Sequence, residues 1–242
     1  MLGLPEGTSA CLFDLDGVLT QTAKVHAAAW KQMFDEFLHS RPDPFREFTP
    51  DDYDQYVDGK RREDGVRSFL ASRTIDLPEG APDDPPGAET IAGLGNAKNE
   101  LVLRLIREQG VEVYEGSVRY VEAVRDAGLR RAVVSSSANT KEVLRVTGIE
   151  DLFEALIDGV VAQREDLKGK PAPDTFLAGA RALGVEPAQA VVFEDALAGV
   201  EAGRAGDFGF VVGVDRVGHA EALREHGADI VVSDLSELLD RS

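Results

Sequence analysis

The 242-residue sequence contains one cysteine, Cys11, which excludes an internal disulfide and any cysteine-based metal site. Cys11 lies inside an apolar run, so it reads as a buried structural thiol rather than a reactive one. No stretch approaches the roughly 18 apolar residues of a membrane span, and no membrane partner is expected. The N-terminus, MLGLPEGTSA, lacks a basic segment followed by a long apolar one. It therefore does not read as a signal peptide, and the expected location is the cytoplasm. Cations are scarce: 26 Lys and Arg stand against 44 Asp and Glu, giving a net charge of −18. That field would repel nucleic acid, and no long basic stripe offsets it. Otherwise the acidity favours solubility. The sequence has no internal repeat and no low-complexity tract.

The composition, 43% hydrophobic and 29% charged, is that of an ordinary globular chain long enough to bury a sizeable core. Short apolar runs at Ala10–Asp14, Arg131–Ser135, Ala190–Glu194, Phe208–Val212 and Asp229–Val232 read as strands. They are unalternated, as expected where both faces are covered. Helical patterns fall between them at Ser117–Ala127, Lys141–Thr147, Pro173–Leu183 and Ala198–Ala205. Gly128, Gly148, Gly184 and Gly206 follow where C-terminal caps belong. The alternation predicts an α/β fold with a doubly wound parallel sheet. Residues 22–109 break the rhythm, with helical patterns at Ala23–Leu38, Gly65–Ser72 and Asn96–Glu108 and a Pro/Gly-rich loop at Pro78–Gly87. The expected division is a catalytic core of 1–21 and 110–242 with an all-helical insertion at 22–109.

In parallel sheets, reactive groups collect beyond the carboxyl ends of the strands, and four candidates stand there. The first is Phe13-Asp14-Leu15-Asp16-Gly17-Val18, two carboxylates spaced two apart with Leu15 turned inward. A carboxylate at Asp14 can attack phosphorus, and Asp16 can protonate the leaving oxygen. A plain Asp-rich turn is the competing reading. The second is Ser135-Ser136-Ser137, able to cradle a phosphate or simply to cap a helix. The third is Lys170, between Gly169 and Pro171, either a placed point charge or a solvated lysine before a helix. The fourth is Glu194-Asp195, which with Asp14 and Asp16 makes an oxygen-only set suited to Mg2+, or else a surface acidic pair.

In this order the four elements resemble the haloacid dehalogenase superfamily, and within it the β-phosphoglucomutase-like family. The likeness covers nearly the whole chain. It implies a Rossmann-like core with a helical cap and one Mg2+ held by Asp14, Asp16, Glu194 and Asp195. Here Asp16 acts through its backbone carbonyl. The motif runs on through Thr20, Thr22, His26 and Trp30, the last three four apart and so on one helical face. A core role suits Trp30, while polar Thr22 and His26 favour a lined pocket. Gly59–Asp64 resembles the family's substrate-specificity loop, with Arg62 as phosphate clamp. Lys98 resembles its sugar-contacting lysine, and Ser135, Ser137 and Asn139 its phosphate-binding segment. Gln21, Ala138 and Ala196 depart from the pattern, and Lys60 and Arg61 make the loop more basic.

The activity implied is a ping-pong phosphomutase. Phospho-Asp14 would interconvert β-glucose 1-phosphate and glucose 6-phosphate through glucose 1,6-bisphosphate, in a monomer whose partner is a small sugar phosphate. A sugar-phosphate phosphatase shares every core residue and is the alternative. A non-catalytic sugar-phosphate sensor is a third reading, opposed by intact Asp14, Asp16, Lys170 and Asp195.

Overall fold

The computed structural model describes residues Leu2 to Leu239 apart from Asp43 and the side chain of Gln109. The chain divides into two compact units, one running through Gln21 and resuming at Val111, the other Thr22–Gly110.

The first unit opens with β1 (Ala10–Phe13). The inserted unit holds α1 (Thr22–His39), a short α2 (Pro50–Asp52) passing into a π-helical turn at Tyr53–Val57, α3 (Arg62–Ser72) and α4 (Ile91–Gln109). The first unit resumes with α5 (Glu115–Asp126), β2 (Arg130–Val134), α6 (Thr140–Thr147), β3 (Ala155–Ile157) and α7 (Gly159–Arg164). It ends with α8 (Asp174–Leu183), β4 (Ala190–Glu194), α9 (Leu197–Ala205), β5 (Phe210–Val214), α10 (Ala220–Glu225) and β6 (Ile230–Val232). Among the described residues no helix is long and apolar enough to cross a membrane.

The six strands form one parallel sheet in the order β3-β2-β1-β4-β5-β6. This is a doubly wound α/β sheet, and the direction of winding reverses at β1. Every residue of β1 and β4 is buried, which accounts for their unbroken apolar sequences. On one face Leu12, Val134 and Val192 join Phe176, Val200 and Phe208 in a single core. On the other, Phe13 stacks on Phe193 with ring centroids 4.5 Å apart, and Tyr120 meets both rings edge-on or tilted. Cys11 is fully buried, and burial pushes its thiol well above the ordinary range, so it is an inert core residue.

The inserted unit has its own core, in which Trp30, Phe34 and Phe37 from α1 pack with Phe48, Val66, Phe69 and Leu94. Its Pro/Gly-rich loop is tied down by Asn96, whose amide donates to the carbonyls of Pro82 and Asp84.

Several boundaries differ from the sequence reading. α4 starts at Ile91 rather than Asn96, because Thr90 caps it by accepting from Gly93 N–H. Gly93 and Gly95 weaken the helical signal there, yet a Cβ at Gly93 would lie 2.5 Å from the Ala88 carbonyl, so glycine is required. α3 starts at Arg62, so half of the expected specificity loop is a helical first turn. β5 is displaced two residues from the expected Phe208–Val212, since Phe208 packs edge-on against Phe176 instead of joining the sheet. Gly206 has φ −88°, and the left-handed position after α9 is Asp207 at φ +55°. The three-residue edge strand β3 and the six-residue helices α7 and α10 are too short for periodicity to reveal.

Candidate active site

The parallel register sets Phe13 level with Val133 and Phe193. The next residues, Asp14, Val134 and Glu194, therefore come off the sheet side by side. Asp14 is 6% exposed, and its backbone N–H donates to the Phe193 carbonyl at 2.9 Å. Leu15 turns into the core at 1% exposure. A tight turn then closes through Gly17 N–H to Thr20 O at 2.8 Å and Leu19 N–H to Leu15 O at 2.9 Å. Gly17 sits at φ +81°, and a Cβ there would fall on the carboxylate of Asp195.

Lys170 is 2% exposed and donates to Asp14 Oδ1 at 2.6 Å, to Glu194 Oε1 and, at 3.3 Å, to the Val134 carbonyl. Its ammonium also lies 4.9 Å from the centre of the Phe176 ring. Burial pushes this ammonium down, but Asp14 and Glu194 more than offset it, so the proton is held above the usual lysine range. Glu194 is fully buried; its Oε2 accepts from Ala196 N–H at 3.1 Å, and the missing side chain of Gly199 leaves room for its carboxylate. The acidic pair is thus not a solvated surface feature, and Lys170 is not a solvated lysine.

Asp14, Glu194 and Asp195 bring carboxylate oxygens within 4.8 Å of one another. Asp14 is held well above the ordinary carboxylate range by burial, with Glu194 and Asp16 adding to the effect and Lys170 partly offsetting it. One buried ammonium among four carboxylates leaves excess negative charge. An all-oxygen donor set of this kind fits a hard divalent cation such as Mg2+.

Ser135 is buried just after β2, and its Oγ accepts from Ser137 N–H at 3.1 Å. Ser137 Oγ in turn accepts from Asn139 N–H at 3.2 Å. The serines do not cap α6, whose N-cap is Asn139. Ser136 belongs to the same segment, where its carbonyl is so close to Gly159 that a Cβ there would lie 2.8 Å away.

Within the inserted unit, Lys98 is 6% exposed, with its ammonium 2.9 Å from His26 Nδ1 and 4.8 Å from the centre of the Trp30 ring. This joins three of the expected cap residues, and Thr22, at the start of α1, is buried. Arg62 lies along Gly95 of α4, where a Cβ would stand 3.2 Å from its Cγ, and donates to Glu63 at 3.1 and 3.2 Å. Lys60 binds Ser68 Oγ at 3.1 Å and the Gln55 carbonyl at 3.3 Å, so its charge is engaged within the unit.

A further residue at the strand ends is Arg216, just past β5. It donates to the Gly17 carbonyl at 2.9 Å. The expected strand Phe208–Val212 stops short of it, whereas β5 runs to Val214 and makes Asp215-Arg216 a polar pair at a carboxyl end.

The paired-carboxylate turn at the central strand, the buried lysine and the acidic pair on the neighbouring strand all lie within the span that a known family model matches. Residues 8–207 fit the haloacid dehalogenase-like hydrolases. The chain belongs to that family. A β-phosphoglucomutase of Mycobacterium bovis is 58% identical, over 99% of this chain and 94% of that protein. A β-phosphoglucomutase of Bacillus subtilis is 31% identical, over 95% and 91%. The crystal structure of a β-phosphoglucomutase from Clostridium difficile superposes with a TM-score of 0.73 at 26% identity, covering 96% of this chain and 93% of that one. This member of the haloacid dehalogenase-like family is accordingly an enzyme of the β-phosphoglucomutase-like branch, with phosphomutase- or phosphatase-type activity.

Proposed function

We propose that this enzyme is a phosphomutase that interconverts β-glucose 1-phosphate and glucose 6-phosphate, with Asp14 as the phosphoryl carrier. The observation that carries the reading is the buried contact of Asp14 with Lys170, with Asp16 two residues on and Glu194 and Asp195 alongside. Lys170 favours the ionised nucleophile against the cost of burial and offsets charge on the incoming phosphoryl group.

Phospho-Asp14 gives its phosphoryl group to the C6 hydroxyl of β-glucose 1-phosphate, whose proton passes to Asp16. The bisphosphate then presents its C1 phosphate, Asp14 takes that group back, and Asp16 returns the proton to the C1 oxygen, leaving glucose 6-phosphate. Ser135, Ser136, Ser137 and Asn139 are assigned to the transferring phosphate. The cations Arg62 and Lys98, with His26, Trp30 and Thr22, are assigned to the sugar and its other phosphate. Mg2+, held by Asp14, Asp195, Glu194 and the Asp16 carbonyl, would supply charge neutralisation.

The test is incubation with β-glucose 1-phosphate, Mg2+ and a trace of glucose 1,6-bisphosphate, following glucose 6-phosphate and free phosphate together. Glucose 6-phosphate without matching phosphate supports the mutase. Stoichiometric phosphate release would make the enzyme a phosphatase, and no turnover of either kind would overturn the reading.

A further inference from the structure

Arg216 reaches the catalytic turn from the end of β5 with an arrangement that only a planar, multi-donor cation can make. Nε donates to the Gly17 carbonyl at 2.9 Å, and Nη2 approaches the Val18 carbonyl at a longer 3.4 Å. Nη1 donates to the Ser233 carbonyl at 2.6 Å and Asp234 Oδ2 at 3.2 Å, beyond β6. Nη2 also donates to Ser117 Oγ at 3.1 Å in the first turn of α5. The guanidinium carbon lies 3.6 Å from the centre of the Tyr114 ring, and the side chain is 14% exposed. One side chain thus ties the exits of β1, β5 and β6 to the start of α5. Its base is fixed in turn, because Asp215 Oδ1 accepts from the backbone N–H groups of Val217, Gly218 and His219. The carboxylate of Asp234 accepts from Ser236 N–H at 2.9 Å and lies against Gly116.

We propose that Arg216 is a positioning residue that sets the Gly17 peptide and, through it, the placement of Asp16 and Asp195. Gly17 is left-handed in this closed turn, and it shares its space with the Asp195 carboxylate. Relaxation of this turn therefore disturbs Asp16, next to it in the chain, and Asp195, packed against it. Asp14 is held separately, by its backbone bond to Phe193 and by Lys170. Loss of Arg216 should consequently damage proton delivery while sparing the nucleophile. The inference rests on Asp16 as the proton carrier.

That asymmetry can be measured by leaving group. First-turnover release of p-nitrophenol from p-nitrophenyl phosphate needs little protonation, whereas release of the C1 oxygen from glucose 1,6-bisphosphate needs a general acid. In Arg216→Ala at saturating Mg2+ the sugar-phosphate rate should fall about 10–100-fold, consistent with a small misplacement of an acid/base group, while the p-nitrophenyl rate stays within about threefold. Mg2+ binding by calorimetry should weaken severalfold, as Asp195 loses its fixed position. Arg216→Lys should recover only part of the ratio, since an ammonium cannot span these acceptors. Arg204→Ala removes a comparable clamp, on the Gly227 carbonyl and Asp229 before β6, and should lower melting temperature without changing the ratio. Should Arg216→Ala fail to fold, the ratio is read on Arg216→Lys. Selectivity in Asp16→Asn without selectivity in the Arg216 variants would overturn this inference alone. An Asp16→Asn variant with no selectivity would sink the proton-carrier reading and this inference with it.

Discussion

Gly17 and Asp195 compete for the same volume: any Cβ on Gly17 would fall on the Asp195 carboxylate. The glycine is also held at φ +81°, where an L-residue costs roughly 1–2 kcal/mol. Gly17→Ala should therefore lower stability by about that amount and displace Asp195. A shift near 1 Å in a reacting group can cost about 10²-fold, and turnover should fall at least that far. Adding Asp195→Ala should relieve the clash but not the φ strain, so melting temperature recovers only in part and activity not at all. Near wild-type turnover in Gly17→Ala would disprove the coupling.

Lys170→Met tests the buried charge cluster. The substitution leaves Asp14 and Glu194 buried without their cation, a change that typically costs about 3–5 kcal/mol. Denaturant unfolding in chelator should show a loss of that order. Burial already holds Asp14 above the ordinary carboxylate range, and without Lys170 nothing lowers it. The folded variant then binds protons more tightly than its unfolded chain, so its stability rises as pH falls. The deficit against wild type should shrink toward mildly acid pH, and Mg2+ should recover part of it. A deficit that grew on acidification would refute the charge argument.

The Asp14–Gly17 turn was legible in the sequence because it is local: Asp14, Asp16 and Gly17 are close enough to be read as one unit. Lys170 was legible because Pro171 and Pro173 pin the backbone just after it, and Glu194-Asp195 because a short apolar run leads into them. The site's supports were less visible. Gly199, which makes room for Glu194, and Arg216, which holds Gly17, act across the sheet on residues far away in sequence. Arg62 was placed in a loop by the resemblance of Gly59–Asp64 to the family's specificity loop, while the structure starts α3 at Arg62 and packs Gly65 against Trp30, where a Cβ would lie 3.1 Å from the ring. Tertiary packing outweighed local propensity there.

Asp215 gives a pH-dependent prediction independent of the charge cluster. Burial opposes its charge, but three backbone N–H donors from Val217, Gly218 and His219 outweigh this and hold its carboxyl below the ordinary value of 3.8. A depressed folded value means the stabilisation is present above 3.8 and is lost as pH falls through the depressed value. Asp215→Asn should lower stability by about 1 kcal/mol at neutral pH, or about 2–4 °C in melting temperature. The difference should vanish in strong acid. A constant difference across the range would mean that Asp215 acts by shape alone.

Arg62 separates the mutase from the phosphatase. Its guanidinium pairs only with the neighbouring, half-exposed Glu63 among the bonds described for it, an interaction contributing about 0–1 kcal/mol. Arg62→Ala should leave the melting temperature nearly unchanged, so lost activity cannot be blamed on unfolding. A charge-assisted contact to the second phosphate contributes roughly 1.5–3 kcal/mol, and isomerisation of glucose phosphate should fall about 10–100-fold. Hydrolysis of a small phosphate monoester lacks that second phosphate and should change little. Gly95→Ala gives the same comparison more gently, since its Cβ would press within 3.2–3.4 Å of the Arg62 stem and shift the guanidinium without removing it. The quantity to follow is the ratio of glucose phosphate isomerisation to small-ester hydrolysis. It should fall strongly in Arg62→Ala and mildly in Gly95→Ala. A ratio preserved in both would reduce Arg62 to a surface charge and remove the strongest argument from the inserted unit for a two-phosphate substrate.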